Sequence, residues 1–321
     1  MTAASRAGEF ELIARYFRPL AVAAEGALGL ADDAALLDVP AGDRLVATAD
    51  ALTAGVHFLP DDPPDLIARK ALRVNLSDLA AMAARPLAYL LTVAFPVDIG
   101  EDWIAKFARG LAQDQAEFGI ALAGGDTTAT PGPLSLSVTA LGLVARGREL
   151  RRSTARAGDL VAVSGTIGDA VLGLARLQGR LAAIAGEAEL IARYRLPQPR
   201  LALARKLAGL ASAGLDVSDG LVGDLGHICE ASGFGAVIQA QRVPLSAPAR
   251  AVLAREPERL VSLITGGDDY ELLFTLPQAR EAELAGLPVT VIGRMEAGQG
   301  VRVLDGAGRA LALGPGGYRH F

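Results

Sequence analysis

The chain has 321 residues, 51% of them hydrophobic and 5% aromatic, so its cores must be built from Ala, Leu, Val and Ile, and its length suggests two domains. Its 36 acids outnumber 31 bases, which leaves no concentrated positive field for a nucleic-acid surface; an acidic protein that handles phosphates needs metal cations. Its one cysteine, Cys229, excludes an internal disulfide framework or a multi-cysteine metal site and reads as a small buried hydrophobe in a reducing compartment.

Arg6, Glu9, Glu11 and Arg15 interrupt the first turns, so no signal peptide is expected and the chain is placed in the cytoplasm. Strand-like apolar runs are expected over 44–48, 88–94, 120–123, 134–144 and 160–164. Helices are expected over 64–84, which opens with prolines and an acid, over 101–118, and over 218–232. The uncharged stretch 127–145 has the length of a membrane span, but Pro131, Gly132 and Pro133 break it. After them Leu134, Leu136, Val138 and Ala140 alternate, as a half-buried strand does, so no membrane segment is expected. The charged, glycine-punctuated segment 146–159 between two apolar strands is the candidate domain junction, giving domains 1–148 and 149–321 of mixed α/β type.

Chemistry is carried by aspartates placed where strands end or glycines bend the chain. Asp32 and Asp33 follow Gly29-Leu30-Ala31, Asp50 follows the strand ending at Thr48, and Asp126 follows Gly124-Gly125. Asp216 and Asp219 share Asp216-Val217-Ser218-Asp219-Gly220. Ordinary turn chemistry accounts for any one Gly-Asp pair. Several together, each with flexible backbone, a hard oxygen donor and a hydroxyl, suit magnesium and a nucleotide phosphate. Asp78 lies in a helix apolar on most of its circumference, with Asn75 on the same face, so its carboxylate must meet cations, cap something or be hydrogen-bonded.

No Gly-x-x-x-x-Gly-Lys-Ser/Thr loop is present, which excludes a P-loop kinase. Ser164-Gly165-Thr166-Ile167-Gly168-Asp169 is a glycine loop entering a helix; it reads as an ordinary turn, with anion binding at the helix N-terminus as the alternative.

Gly8-Glu9-Phe10-Glu11-Leu12-Ile13 is followed in order by Gly29 to Leu37, Asn75 to Met82, Gly124 to Thr128 and Asp216 to Gly220. With Ala54 to Pro60, Thr265 to Leu272 and the terminal Gly317-Tyr318-Arg319-His320-Phe321, this order resembles the thiamine-monophosphate kinase family from Glu9 to the last residue. The wider superfamily includes aminoimidazole ribonucleotide synthetase, selenophosphate synthetase and a hydrogenase-maturation protein; the last two are expected to carry reactive cysteines that this chain lacks. His57-Phe58 and Tyr318 favour the thiamine kinase over the purine synthetase. A synthetase-like enzyme and a non-catalytic nucleotide-binding relative stay as alternatives.

The resemblance implies a two-domain α/β fold whose N-terminal strands pair across a homodimer. It implies magnesium ligation by Asp33, Thr48, Asp50, Asp78, Asp126, Asp216 and Asp219, with ATP contacts from Gly125, Asp126, Arg152 and Ser218. Thiamine monophosphate contacts fall on His57, Asp268 and Tyr318. Three residues depart from the family pattern: Ala49 where Thr is usual, Asp268 where Glu is usual, and Ala31 where Gly is usual. Donor and acceptor are both polyanions, and unit charges about 4 Å apart repel by roughly 4 kcal/mol at an effective dielectric near 20, which cations must offset. The attacking phosphate oxygen is already largely ionised at neutral pH, so direct transfer without a general base or a phospho-enzyme is expected.

Overall fold

A computed structural model describes residues 7–313, so Tyr318 and the run 317–321 lie outside the described residues. The chain divides into two units, one reaching to Leu79 and including Ala84–Arg146, the other made of Ala80–Ala83 and the chain from Gly147 onward.

In the first unit a short helix α1 (Glu9–Leu12) precedes β1 (Asp43–Thr53), α2 (Pro64–Ala81), β2 (Arg85–Pro96), α3 (Glu101–Phe118), β3 (Ala121–Thr130) and β4 (Ser135–Ala145). The four strands form a sheet in the order β1-β4-β2-β3. Only β2 and β3 run parallel, as their α3 crossover requires. Helix α3 begins with Glu101 and Asp102, which suit the positive end of its dipole, and stops at Gly119, whose φ of +66° closes the last turn. Its Trp103 stacks on Phe107 at 5.4 Å and meets Phe95 of β2 edge-on at 6.1 Å, seating α3 on one face of the sheet. Helix α2 reaches the same face through Leu79, against Gly142 of β4. The other face carries exposed Leu45 and Leu90.

Two expected strands prove longer than their apolar runs. The strand at 44–48 continues through Thr53 because β4 offers an unbroken antiparallel partner from Ala145 to Ser135. The strand expected at 120–123 continues through Thr130 because β2 pairs with Gly124 to Thr130 despite their turn-like composition, and tertiary pairing overrides propensity. The uncharged stretch 127–145 is therefore the end of β3, a turn and β4. No described helix is long and apolar enough to cross a membrane.

The second unit contains β5 (Leu160–Ser164), α4 (Asp169–Leu177), α5 (Glu187–Arg195), α6 (Leu201–Leu207), β6 (Ala213–Asp216), α7 (Leu221–Ser232) and β7 (Gly235–Gln239). It continues with α8 (Ala247–Arg255), α9 (Arg259–Thr265), β8 (Leu272–Leu276), β9 (Val289–Glu296) and β10 (Gly300–Leu304). Its six strands order as β10-β7-β9-β5-β8-β6. Val161 and Val163 of β5 face a core shared with Leu225 and Ile228 of α7, while Ala162 between them faces Leu203 and Leu207 of α6, so the sheet is covered on both sides. Cys229 sits in the first of these cores, and burial raises its thiol pKa to about 11, in keeping with a packing role.

Arg73 of α2 and Asp114 of α3 are joined by Nε to Oδ2 at 2.7 Å and Nη2 to Oδ1 at 2.9 Å, with side chains 1% and 0% exposed. Removing the Asp114 carboxylate leaves the buried Arg73 to Glu117, 2.7 Å away and half-exposed, so Asp114→Ala should destabilise the protein by roughly 3 kcal/mol, the low end for a broken buried pair. The exposed Arg280–Glu283 pair is screened by solvent, so Glu283→Ala should leave stability nearly unchanged. Urea midpoints of the two variants check this contrast.

Candidate functional site

Asp50 of β1 and Asp78 of α2 are brought together by two polar residues. The Thr48 hydroxyl, two residues before Asp50 and on the same strand face, donates to Asp78 Oδ2. The Asn75 amide, buried one turn before Asp78, accepts the Asp50 N–H at 3.1 Å and donates to Ala71 O at 3.0 Å. Burial and then the charge of Asp78 raise the Asp50 pKa to about 6. Hard carboxylate oxygens under mutual repulsion are the donor set a magnesium ion stabilises, so these residues fit the metal role. Ala49 lies on the opposite strand face from Thr48 and Asp50, so a Thr side chain there would not join this group.

Asp33 and Asp126 form a second group. They line a cavity of about 620 Å³ with Leu90, Thr92, Gly124 and Gly125. A Cβ on Gly125 would lie 1.8 Å from Leu91 O at a φ of +151°, so glycine is required there. Asp126 pairs with Thr92, which pairs with Ser137, which pairs with Ala51. This row places Asp126 three strand spacings from β1, about 14 Å, and on the face opposite Asp50. The one chain thus does not bring Asp126 to Asp50 and Asp78. Ala31 has a φ of −115°, so its replacement of a usual glycine is harmless.

His57 is pinned: its Nδ1 accepts the Thr53 N–H at 3.0 Å and its carbonyl accepts from Lys70 Nζ at 2.9 Å. A neutral ring so held carries its proton on Nε2.

In the second unit Asp216 ends β6 and Ser218 and Asp219 follow in the loop before α7. Asp224, one turn into α7, accepts the N–H groups of Asp219 and Gly220 at 3.0 Å each. Ligand atoms of Asp219, Asp224 and His227 lie within 4.8 Å of one another. Burial and then the Asp219 charge raise the Asp224 pKa to about 7, while Arg152 acts in the opposite direction and so lies within electrostatic reach. Asp224 and His227 escape a sequence reading because, three residues apart on a helix, they look like an ordinary polar face.

The loop Gly266 to Glu271 lies against this turn. Asp268 N–H donates to Ser218 O at 2.8 Å and Tyr270 N–H to Val217 O at 2.7 Å. Asp268 and Tyr270 have φ of +71° and +50°, a left-handed backbone that costs roughly 1–2 kcal/mol per residue and that Asp tolerates better than most. Aspartate in place of the usual Glu therefore falls where the backbone favours it. The N-terminus of α4 is satisfied internally, since Gly168 N–H donates to Asp269 Oδ2 at 2.7 Å, so the glycine loop at 164–169 behaves as a turn.

The family described as AIR synthase related protein matches this chain in two parts, its N-terminal domain over residues 31–144 and its C-terminal domain over 156–306. Thiamine-monophosphate kinase of Caulobacter vibrioides is 44% identical over 310 residues, covering 93% of this chain and 87% of that protein. A crystal structure of thiamine-monophosphate kinase from Stenotrophomonas maltophilia is 44% identical with a TM-score of 0.84, covering 95% of this chain and 98% of that one. AaThiL complexed with AMPPCP and TMP is 32% identical with a TM-score of 0.80, covering 98% of this chain and 97% of that one.

The Asp50 environment sets a pH dependence. A carboxyl whose pKa rises from 3.8 to about 6 on folding costs nothing well below pH 3.8, where it is protonated in both states. As pH rises through 6 the folded protein must carry the charge, at about 2 kcal/mol after screening at this partly open strand. Metal-free protein should therefore lose stability between about pH 4 and pH 6, and Asp50→Asn in EDTA should melt above wild type at pH 7 but not at pH 4. Calorimetric melting curves at the two pH values measure it.

Proposed function

Because this chain belongs to the thiamine-monophosphate kinase family of AIR synthase related proteins, we propose that its groups of acids serve one reaction. That reaction is the ATP-dependent phosphorylation of thiamine monophosphate to thiamine diphosphate. The observation that carries the mechanistic reading is the Thr48–Asp50–Asp78 group, in which Asn75 and the strand backbone hold two carboxylates close enough for the Asp78 charge to add to the effect of burial on Asp50.

Asp33, Thr48, Asp50, Asp78 and Asp126 of the N-terminal domain, 1–148, and Asp216 and Asp219 of the C-terminal domain, 149–321, hold magnesium. Magnesium, when bound, would offset the repulsion between the two polyanions and draw charge from the transferring phosphoryl group. Gly125, Asp126, Arg152 and Ser218 contact ATP. His57 offers its Nε2 proton to the acceptor, Asp268 contacts the acceptor with a carboxylate, and Tyr318 stacks on its heterocycles. The acceptor phosphate supplies its own ionised oxygen, so phosphate passes directly in line to it and no side chain acts as nucleophile. The enzyme works in the cytoplasm as a homodimer. The apolar sheet face with Leu45 and Leu90, left bare by α2 and α3, supports the dimer, because a second copy would cover it.

Purified protein with ATP, magnesium and thiamine monophosphate should yield thiamine diphosphate and ADP in equal amounts by chromatography, with no phosphate on the acid-quenched protein. Asp126→Asn should lose roughly 100-fold or more in kcat/KM. ATP binding without diphosphate formation would refute the reading.

A further inference from the structure

The pairing of β6 with β8 does not stop at Asp216 and Leu272. It runs on through Val217 N–H to Glu271 O at 2.8 Å, then Tyr270 N–H to Val217 O and Asp268 N–H to Ser218 O, into the segment whose left-handed residues are Asp268 and Tyr270. Those two residues alternate with Asp269 and Glu271, which are both buried. The alternation turns the acids inward and leaves Asp268 half-buried.

Glu271 is the best-anchored side chain of the loop. It receives Arg193 Nη2 at 2.6 Å, Arg200 Nε at 2.6 Å and the Ser164 hydroxyl, whose oxygen in turn accepts the Leu272 N–H at 2.9 Å. A Cβ on Gly165 would fall 2.2 Å from Glu271 Oε1, so glycine there is what gives the carboxylate its place. Arg193 also donates to Asp269 O at 3.2 Å, fixing the backbone between the two left-handed residues. The nucleotide side of the ladder has a separate anchor, the Asp224 carboxylate on the Asp219 and Gly220 N–H groups.

We propose that Glu271, fixed by Arg193, Arg200 and Ser164, is a positioning residue that holds Asp268 in its left-handed conformation against the Ser218 carbonyl, and so sets acceptor affinity without setting nucleotide affinity. No part of this network need touch substrate. The inference rests on the reading of Asp268 as an acceptor contact.

Steady-state kinetics of wild type, Asp268→Ala, Glu271→Gln and the double variant test it, with AMPPCP affinity measured separately by calorimetry in magnesium. Each single variant should raise KM for thiamine monophosphate about tenfold, AMPPCP affinity should stay within about twofold, and the double variant should be no worse than the worse single one. An unchanged KM in Asp268→Ala removes the acceptor reading and the inference with it. A raised KM there beside an unchanged KM in Glu271→Gln, effects that multiply in the double variant, or weakened AMPPCP binding overturns the inference alone. Arg200→Lys, at a site 28% exposed, keeps the charge and loses the fork. It should raise the same KM about threefold, and if Glu271→Gln does not fold, an unchanged KM in Arg200→Lys overturns the proposal.

Discussion

Like charges held near one another in a partly dry setting repel, and much of this protein's local structure serves to keep such charges in place. Asp50 and Asp78 are set by a strand and a helix that α3, through the Arg73–Asp114 pair, helps to lock. Asp219 and Asp224 are set by a turn whose own N–H groups are bound by one of the two acids. In the first case the Asn75 amide and the Thr48 hydroxyl do the placing, and in the second the two N–H groups that Asp224 Oδ2 accepts.

Glycines serve close backbone contact as much as flexibility. Gly125 admits Leu91 O, and a Cβ on Gly267 would lie 2.1 Å from Ser218 O, so the loop after β6 and the loop before β8 meet backbone to backbone. Strain at Asp268 and Tyr270 accompanies that contact, and the buried acids Asp269 and Glu271 that alternate with them are where it is held.

Residue type and local spacing made a good share of this legible in advance. Helix α3 was readable to its ends, because acids open it, an apolar face runs through it and Gly119 closes it. Helix α7 starts three residues after the expected 218, since Gly220 with φ of +120° stands outside it. Aspartates beside glycines announced themselves by chemistry. What they could not announce was which of them meet: the strand order β1-β4-β2-β3 separates Asp126 from Asp50, and no local pattern encodes a non-sequential order. The same holds for Glu271, whose arginines lie 78 and 71 residues away in the chain, and for Asp224, revealed by what it touches. The family's usual residues at positions 31, 49 and 268 acquired physical meaning from φ and strand face alone.

In the proposed mechanism the acidic groups act through cations to hold the nucleotide. Calorimetric titration of AMPPCP into the protein, once with magnesium and once with EDTA, tests this most directly. Affinity should fall by about 100-fold or more without the metal, close to 3 kcal/mol. An affinity that survives EDTA unchanged would mean that the carboxylates are compensated by protein groups and that the clusters are not the nucleotide's metal sites.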